Sequence, residues 1–320
     1  MQPDSRVRVS PTVSVLACVL VFAACSRGRP LERYRVPGTL LGDLQLTQEL
    51  VDPWVSDDGM ELHGVTEDGF VSVDIQTALE EVIDPEPGAS IALLDARTGG
   101  PGVDRLVRVG SETLELLAGE DEPTPLDIPE DALLVRYAGG DIVFLEQGEQ
   151  CRLVWLGADE EEELPPDACD LADLAVDPET GDVWVAARQD VLLLSATGAQ
   201  SLGLEGVEVE WSPSDRTLWT ITTNGEIARS AADGALPRVV LGAGIRTDVR
   251  QLAALPGGVA FLDGESDEPI ISVLDGGTLE VASQSSPIPG LRLAAADLAP
   301  VFVATGEGYT EVFLYEVPQS

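Results

Sequence analysis

Apolar residues in this chain come in short runs, each closed by a Gly/Asp-rich turn and followed by a second run of similar length. The first clear unit is "GMELHGVTEDGFVSVDI" at 59–75, and the next is "ASIALLDARTGGPGVDRLVRVG" at 89–110. Then come "ALLVRYAGGDIVFLEQGEQCRLVWL" (132–156) and "LADLAVDPETGDVWVAARQDVLLLSATG" (171–198). "VEVEWSPSDRTLWTITTNGEIARSAADG" (207–234), "VRQLAALPGGVAFLDGESDEPIISVLDGG" (249–277) and "LRLAAADLAPVFVATGEGYTEVFLYEV" (291–317) complete the series. The later units begin roughly 36–43 residues apart. Val, Leu, Ile and Trp dominate the runs and no long 3.6-residue period appears, so the pattern predicts strands throughout.

Many short strands at a fixed spacing suit a sandwich, a solenoid or a propeller. The spacing matches about four strands per unit. The expectation is therefore an all-β chain forming a single β-propeller over residues 38–320. Seven blades are counted, with six or eight as alternatives, since the units near 57–110 are the least regular. The last unit offers three strands, at 291–297, 301–305 and 311–317. "GTLLGDLQLTQEL" at 38–50 is expected to add the fourth, closing the ring with an N-terminal strand and covering an open edge.

Two units carry specific resemblances. "LAVDPETGDVWVA" resembles the repeat of NHL and gluconolactonase-type propellers, where an Asp-Pro turn leads into an aromatic strand. "VEWSPSDRTLWTI" is similar to the WD-like repeat of TolB-type propellers, with Ser214-Asp215-Arg216 in place of the usual Asp-Gly turn. In Asp177-Pro178-Glu179-Thr180-Gly181, proline pre-sets the turn and Gly181 accepts positive φ. Trp184 and Trp219 hold matching places in successive repeats and are expected in the core between blades.

The N-terminus reads differently. Arg6 and Arg8 precede a run from Val13 to Ala24, too short for a membrane-spanning helix of about 20 residues but suited to a secretory signal. Phe22-Ala23-Ala24-Cys25 resembles the lipobox of bacterial lipoproteins, with Phe22 where Leu is usual. The resemblance implies a signal peptide over 1–24, lipidation of Cys25 and a tether over 25–37; the alternative is a secreted chain in which Cys25 is incidental. In that family an Asp after the cysteine retains the protein in the inner membrane. Ser26 therefore favours the outer membrane, with the body periplasmic or surface-exposed. Arg27, Arg29, Arg33 and Arg35 could hold the tether against an anionic membrane surface, or lie in an ordinary linker.

The formal net charge of −39 rests on 57 acidic and 18 basic residues, every one of the latter arginine. Removing residues 1–24 takes away Asp4, Arg6 and Arg8 and leaves 56 acidic and 16 basic side chains. Such a body argues against nucleic acid, whose phosphates require basic surface. Cys151 and Cys169 remain after lipidation, and an even pair in an exported chain reads as a disulfide.

Counting restricts the chemistry. His63 is the single histidine, so no two-histidine zinc motif exists. Neither a G-x-S-x-G elbow nor a phosphate loop is present. His63 is expected to be structural. Asp263, Glu265 and Asp267 alternate as in calcium loops, but Glu268 and Leu274 occupy the sixth and twelfth places where Gly and Glu are needed. The acidic run at 159–164 is expected to form a solvated loop. Gluconolactonase-type propellers hold a metal with Glu, Asn and Asp from several blades, whereas the single Asn224 here precedes Gly225 in a hairpin-type turn. No catalytic residue, metal ligand or cofactor is assigned. The expected role is a lipid-anchored envelope scaffold that binds protein partners as a monomer. The alternative is a metal-assisted hydrolase of lactone or sugar substrates in the ring's channel.

Overall fold

A computed structural model describes residues 34–315 apart from positions 45, 47–49, 68, 84–89, 100–101, 119–122, 147–150, 158–159, 165–170, 196–197, 232–237, 242–248, 265–267, 287, 289–290, 297 and 307–308. Cys25, Cys169, Glu265 and Asp267 thus lie outside the described residues, as does the whole stretch 1–33.

Twenty-eight strands, β1–β28 in chain order, pair into seven four-stranded sheets. Six sheets follow chain order and form blades 1–6, over 51–83, 91–126, 133–163, 171–201, 206–241 and 250–284. Blade 7 joins β26 (Arg292–Ala295), β27 (Val301–Gly306) and β28 (Tyr309–Leu314) to β1 (Thr39–Asp43), which lies outside β28. Thr39 faces Leu314 and Asp43 faces Glu311, so the closing strand expected within 38–50 is in place. One end strand of every sheet, β26 in blade 7 and the first strand in each of the others, adjoins those of its two neighbours, which sets the seven around a common axis. The chain is a seven-blade β-propeller.

Burial explains why the repeats were visible. Seven apolar clusters fill the spaces between adjacent blades. Because a blade is covered on both faces, its second strand reads as a continuous apolar run. Every residue of β15 (Val183–Ala187), β23 (Gly258–Asp263) and β27 is buried. Trp184 stacks on Trp211 at 4.3 Å between blades 4 and 5, and Trp219 packs on Phe261 and Leu252 between blades 5 and 6. Both tryptophans sit in the inter-blade core, as their positions in the repeat implied.

One expectation fails. The acidic run at 159–164 is not a loop: Glu160–Glu163 forms the outermost strand of blade 3, with Glu160 opposite Trp155 and Glu163 opposite Arg152. A rim strand needs only its backbone to join the ladder, so charge does not forbid it, and a charged edge discourages pairing with a foreign strand. Residues ahead of β1 also dock on the ring. Tyr34 and Val36 pack against the cluster between blades 6 and 7, and the Tyr34 carbonyl accepts the Ser286 N–H at 2.6 Å.

Candidate functional site

The inner strands build the axis. They are β2 (Val51–Val55), β6 (Ile91–Gly99), β10 (Leu133–Ala138), β14 (Leu171–Val176), β18 (Gly206–Ser212), β22 (Arg250–Leu255) and β26. In all but β26 the register slips near the strand's start, at the end where the chain enters from the previous blade. Such bulges re-aim side chains. Pro53 lies within the slip in β2, where no ladder N–H is needed. The residue just after each slip is Trp54, Asp95, Arg136, Asp173, Glu208 or Leu252.

Most of these polar side chains latch one blade to the next. Asp95 Oδ2 accepts the Tyr137 N–H at 2.7 Å, from blade 2 to blade 3. Asp173 Oδ2 accepts the Val209 N–H at 3.0 Å, from blade 4 to blade 5. The Glu208 carboxylate accepts the N–H groups of Gln251, at 2.9 Å, and Leu252, from blade 5 to blade 6. Gln251 continues the pattern into blade 7: its Nε2 donates to the Leu293 carbonyl at 2.6 Å and its Oε1 accepts the Leu293 N–H at 3.2 Å. Arg136 donates back to the Leu94 carbonyl at 2.7 Å and lies 3.9 Å from Asp173. Desolvation pushes the carboxyls of Asp95 and Asp173 above their ordinary range. It raises Glu208 to about 7, against the pull of its two backbone donors and with a push from the charge of Asp173.

Arginine, the only cation available, is used in the same way. Arg97 reaches from blade 2 to the Gly139 carbonyl and lies 4.1 Å over the Tyr137 ring. Arg108 donates to the Glu130 and Ala132 carbonyls at the entry to blade 3. Arg229 bonds the Gly276 carbonyl of blade 6 at 2.7 Å. Arg216 bridges back to blade 4, at 2.8 Å from Glu179 and 3.2 Å from Asp177. The last contact unites the two turns singled out in the sequence. Within the first of them, Gly181 has φ +74° and its N–H bonds the Asp177 carbonyl.

His63 is structural. It is fully buried in β3 (Glu61–Thr66), and its Nδ1 accepts hydrogen bonds from Arg105 of blade 2 at 3.0 and 3.2 Å. The proton of the neutral ring therefore sits on Nε2, which lies 3.2 Å from Glu61 Oε2. Burial, helped by the Arg105 charge, pushes its pKa down to about 3. A ring held neutral against a guanidinium cannot shuttle protons near neutrality.

The other singled-out residues are scattered. Asn224 and Gly225 form the hairpin turn between β19 (Thr217–Thr222) and β20 (Ile227–Ala231), with Gly225 at φ +73°. Asp263 is buried at the end of β23. Cys151 is buried among residues of blades 3 and 4. Carboxylates from three blades do reach the inner strands, but they accept backbone N–H groups. Among the described residues no three His, Cys, Asp or Glu side chains are placed to hold a metal ion. Nothing here supports the hydrolase alternative. The latch residues were missed in the sequence although a signal existed: Asp95, Arg136, Asp173 and Glu208 recur 41, 37 and 35 residues apart, each a charged residue among the apolar residues of an inner strand.

No protein-family model and no curated protein matches the chain. Solved structures share the architecture. The β-propeller domain of Cps50 (Swd1) from Myceliophteria thermophila superposes with a TM-score of 0.63 at 11% identity, covering 86% of this chain and 99% of that one. YCF48, in a structure bound to D1 peptide, superposes at 0.60 with 14% identity, covering 92% and 100%. Identities this low speak for the fold alone.

Proposed function

We propose that this propeller is a binding scaffold for an extended segment of a partner protein, acting as a monomer held at the cell envelope by a lipid on Cys25. The supporting observation is the ring of inter-blade latches. The charged groups near the axis make a rigid frame and are not gathered for catalysis, and a rigid frame lowers the entropy cost of holding a flexible segment. The opposite, turn-bearing face is tied together: the Gly257 N–H bonds Asp215 at 2.7 Å, the Leu298 N–H bonds the Asp57 carbonyl at 3.0 Å, and Arg216 joins blades 4 and 5. This favours the face where the chain enters each blade as the one that receives a partner. YCF48, of similar fold, is seen with a peptide bound.

Panning random peptides against the full-length, detergent-extracted protein tests the reading. Enriched sequences that bind saturably with micromolar or tighter Kd are expected, and an absence of enrichment overturns it. For the anchor, Cys25→Ser should move the chain from the membrane to the soluble fraction, and unchanged membrane retention contradicts lipidation. Density separation of the two membranes tests the outer-membrane assignment drawn from Ser26. A Cys151–Cys169 disulfide completes the proposal: after unfolding without reductant, neither thiol should react with maleimide.

A further inference from the structure

Each blade ends in an outermost strand whose far edge pairs with no further strand among the described residues, and such an edge is a template for a foreign strand. Six of the seven edges are blunted. The outermost strand of blade 1, Leu79–Ile83, carries Glu80 and Glu81. That of blade 2, Thr124–Leu126, is three residues long and centred on Pro125, and that of blade 3 is Glu160–Glu163. In blade 5, Arg238–Leu241 carries an arginine and a bulge. In blade 6, Val281–Gln284 is bulged as well, and Ser286 just beyond it is bonded to Tyr34. Blade 7 closes with β1, which is bulged and ends on Asp43. Blade 4 is the exception. Its outermost strand, β17 (Gly198–Ser201), has no charge and no proline, is exposed at all four residues, and pairs with β16 (Asp190–Ser195) without a slip.

The register decides which backbone groups face outward. Gly198 lies opposite Ser195, Ala199 opposite Leu194, Gln200 opposite Leu193 and Ser201 opposite Leu192. One step past the strand, the Leu202 N–H bonds the Val191 carbonyl at 2.9 Å. Antiparallel pairs alternate between those that exchange hydrogen bonds and those that do not. Gly198 and Gln200 therefore bond to β16, while Ala199 and Ser201 turn their N–H and C=O groups away from it. Two donors and two acceptors line one flat edge. The side chains of Gly198, Ala199 and Ser201 are small, so a second backbone can approach to the ladder spacing of about 4.8 Å.

Charge selects the occupant. The chain holds 57 acidic against 18 basic residues. Asp190, which accepts the Gly203 N–H at 3.1 Å, and the exposed Glu205 lie just past the end of β17. A second copy of so acidic a chain is repelled, whereas a cationic segment is drawn in.

We propose that β17 is a docking edge for an extended, lysine- or arginine-bearing segment of a partner protein, which adds to blade 4 as a fifth strand. Backbone hydrogen bonds attach the segment, and charge chooses it. The edge lies on the rim, apart from the entry face, so either site can hold without the other.

The test uses the full-length, detergent-extracted protein with two probes, acetyl-KVTVKV-amide and acetyl-EVTVEV-amide, read by amide exchange in NMR. In the free protein the Ala199 and Ser201 amides should exchange quickly, and Gly198 and Gln200 slowly. The cationic peptide should bind saturably and slow exchange at Ala199 and Ser201. The acidic peptide should bind about tenfold or more weakly. Ala199→Pro removes an outward N–H and no bond to β16, so it should lose the binding at an unchanged denaturant midpoint. Should it melt lower, Ala199→Lys decides instead: it gives β17 the edge charge that other rim strands carry, and should weaken the cationic peptide about tenfold or more. No saturable binding, no added protection at Ala199 and Ser201, equal binding by the acidic peptide, or equal binding by Ala199→Lys overturns the proposal. Protection of both amides in the free protein, in a dimer that Ala199→Lys dissociates, places a second copy on the edge and overturns it too. Panned peptides that bind the parent and Ala199→Lys alike support the entry-face reading whether or not this edge binds its probe.

Discussion

Glu208 offers the sharpest test of the latch ring. Its carboxylate accepts two N–H groups from blade 6, yet burial beside Asp173 raises it to about 7 from the unperturbed 4.5. A raised carboxyl pKa means that the folded protein holds this proton more tightly than the unfolded chain. The stability linked to the proton is therefore complete below about pH 4.5 and is lost as pH rises through 7. A difference of about 2.5 pKa units corresponds to about 3 kcal/mol as an upper bound, and solvent reaching the half-buried side chain along the axis brings it nearer 2. Glu208→Gln removes the titration but replaces one acceptor oxygen with an NH2 that faces a donor, an offset of about 1–3 kcal/mol at every pH. The offset cancels when the variant is compared with the parent at two pH values. The variant's stability relative to the parent should rise by about 2–3 kcal/mol between pH 4.5 and pH 8. Urea unfolding at fixed ionic strength across that range measures it. A relative stability that stays within about 0.5 kcal/mol across the range refutes the desolvated-latch account.

Three further outcomes follow from particular contacts. Trp184→Ala empties the space between blades 4 and 5 and should cost about 3–5 kcal/mol, with Trp184→Phe costing less; denaturant midpoints report both. Gly38 has φ +97° and lies so close to the Leu314 carbonyl oxygen that an added Cβ would sit 2.6 Å from it, so Gly38→Ala should loosen β1 and raise amide exchange along β28 first. His63, pushed down to about 3, should show no imidazole titration by NMR between pH 5 and pH 8, and a midpoint near 6.5 would place it outside the Arg105 contact.

The second strands were legible in the sequence because burial between two neighbouring blades makes them largely apolar, as in "VWVAA" and "GVAFLD". Outermost strands were not. "LEEVI", "EEEE", "GAQS" and "VASQ" lie outermost in their sheets, join them through backbone bonds, and carry no pattern that separates them from loops. Their omission turned Glu160–Glu163 into an expected loop without disturbing the blade count, since each blade announces itself through its buried pair. The candidate site was hidden for another reason. Asp95, Asp173 and Glu208 are three among 57 acidic residues. Only the register of the bulged strands shows that they occupy one position, repeated around an axis.

That position also explains how so acidic a chain tolerates a closed ring. Seven blades meeting at an axis bring the entry ends of seven strands together, and in six of them a bulge interrupts the ladder there. A carboxylate from the preceding blade is the strongest acceptor for a backbone N–H, and this sequence has carboxylates to supply it at Asp95, Asp173 and Glu208. The device carries a charge penalty, visible in the raised pKa of all three. Arg136, set between Asp95 and Asp173 in the ring, relieves it in part. In blade 6 the neutral amide of Gln251 does the same work without charge.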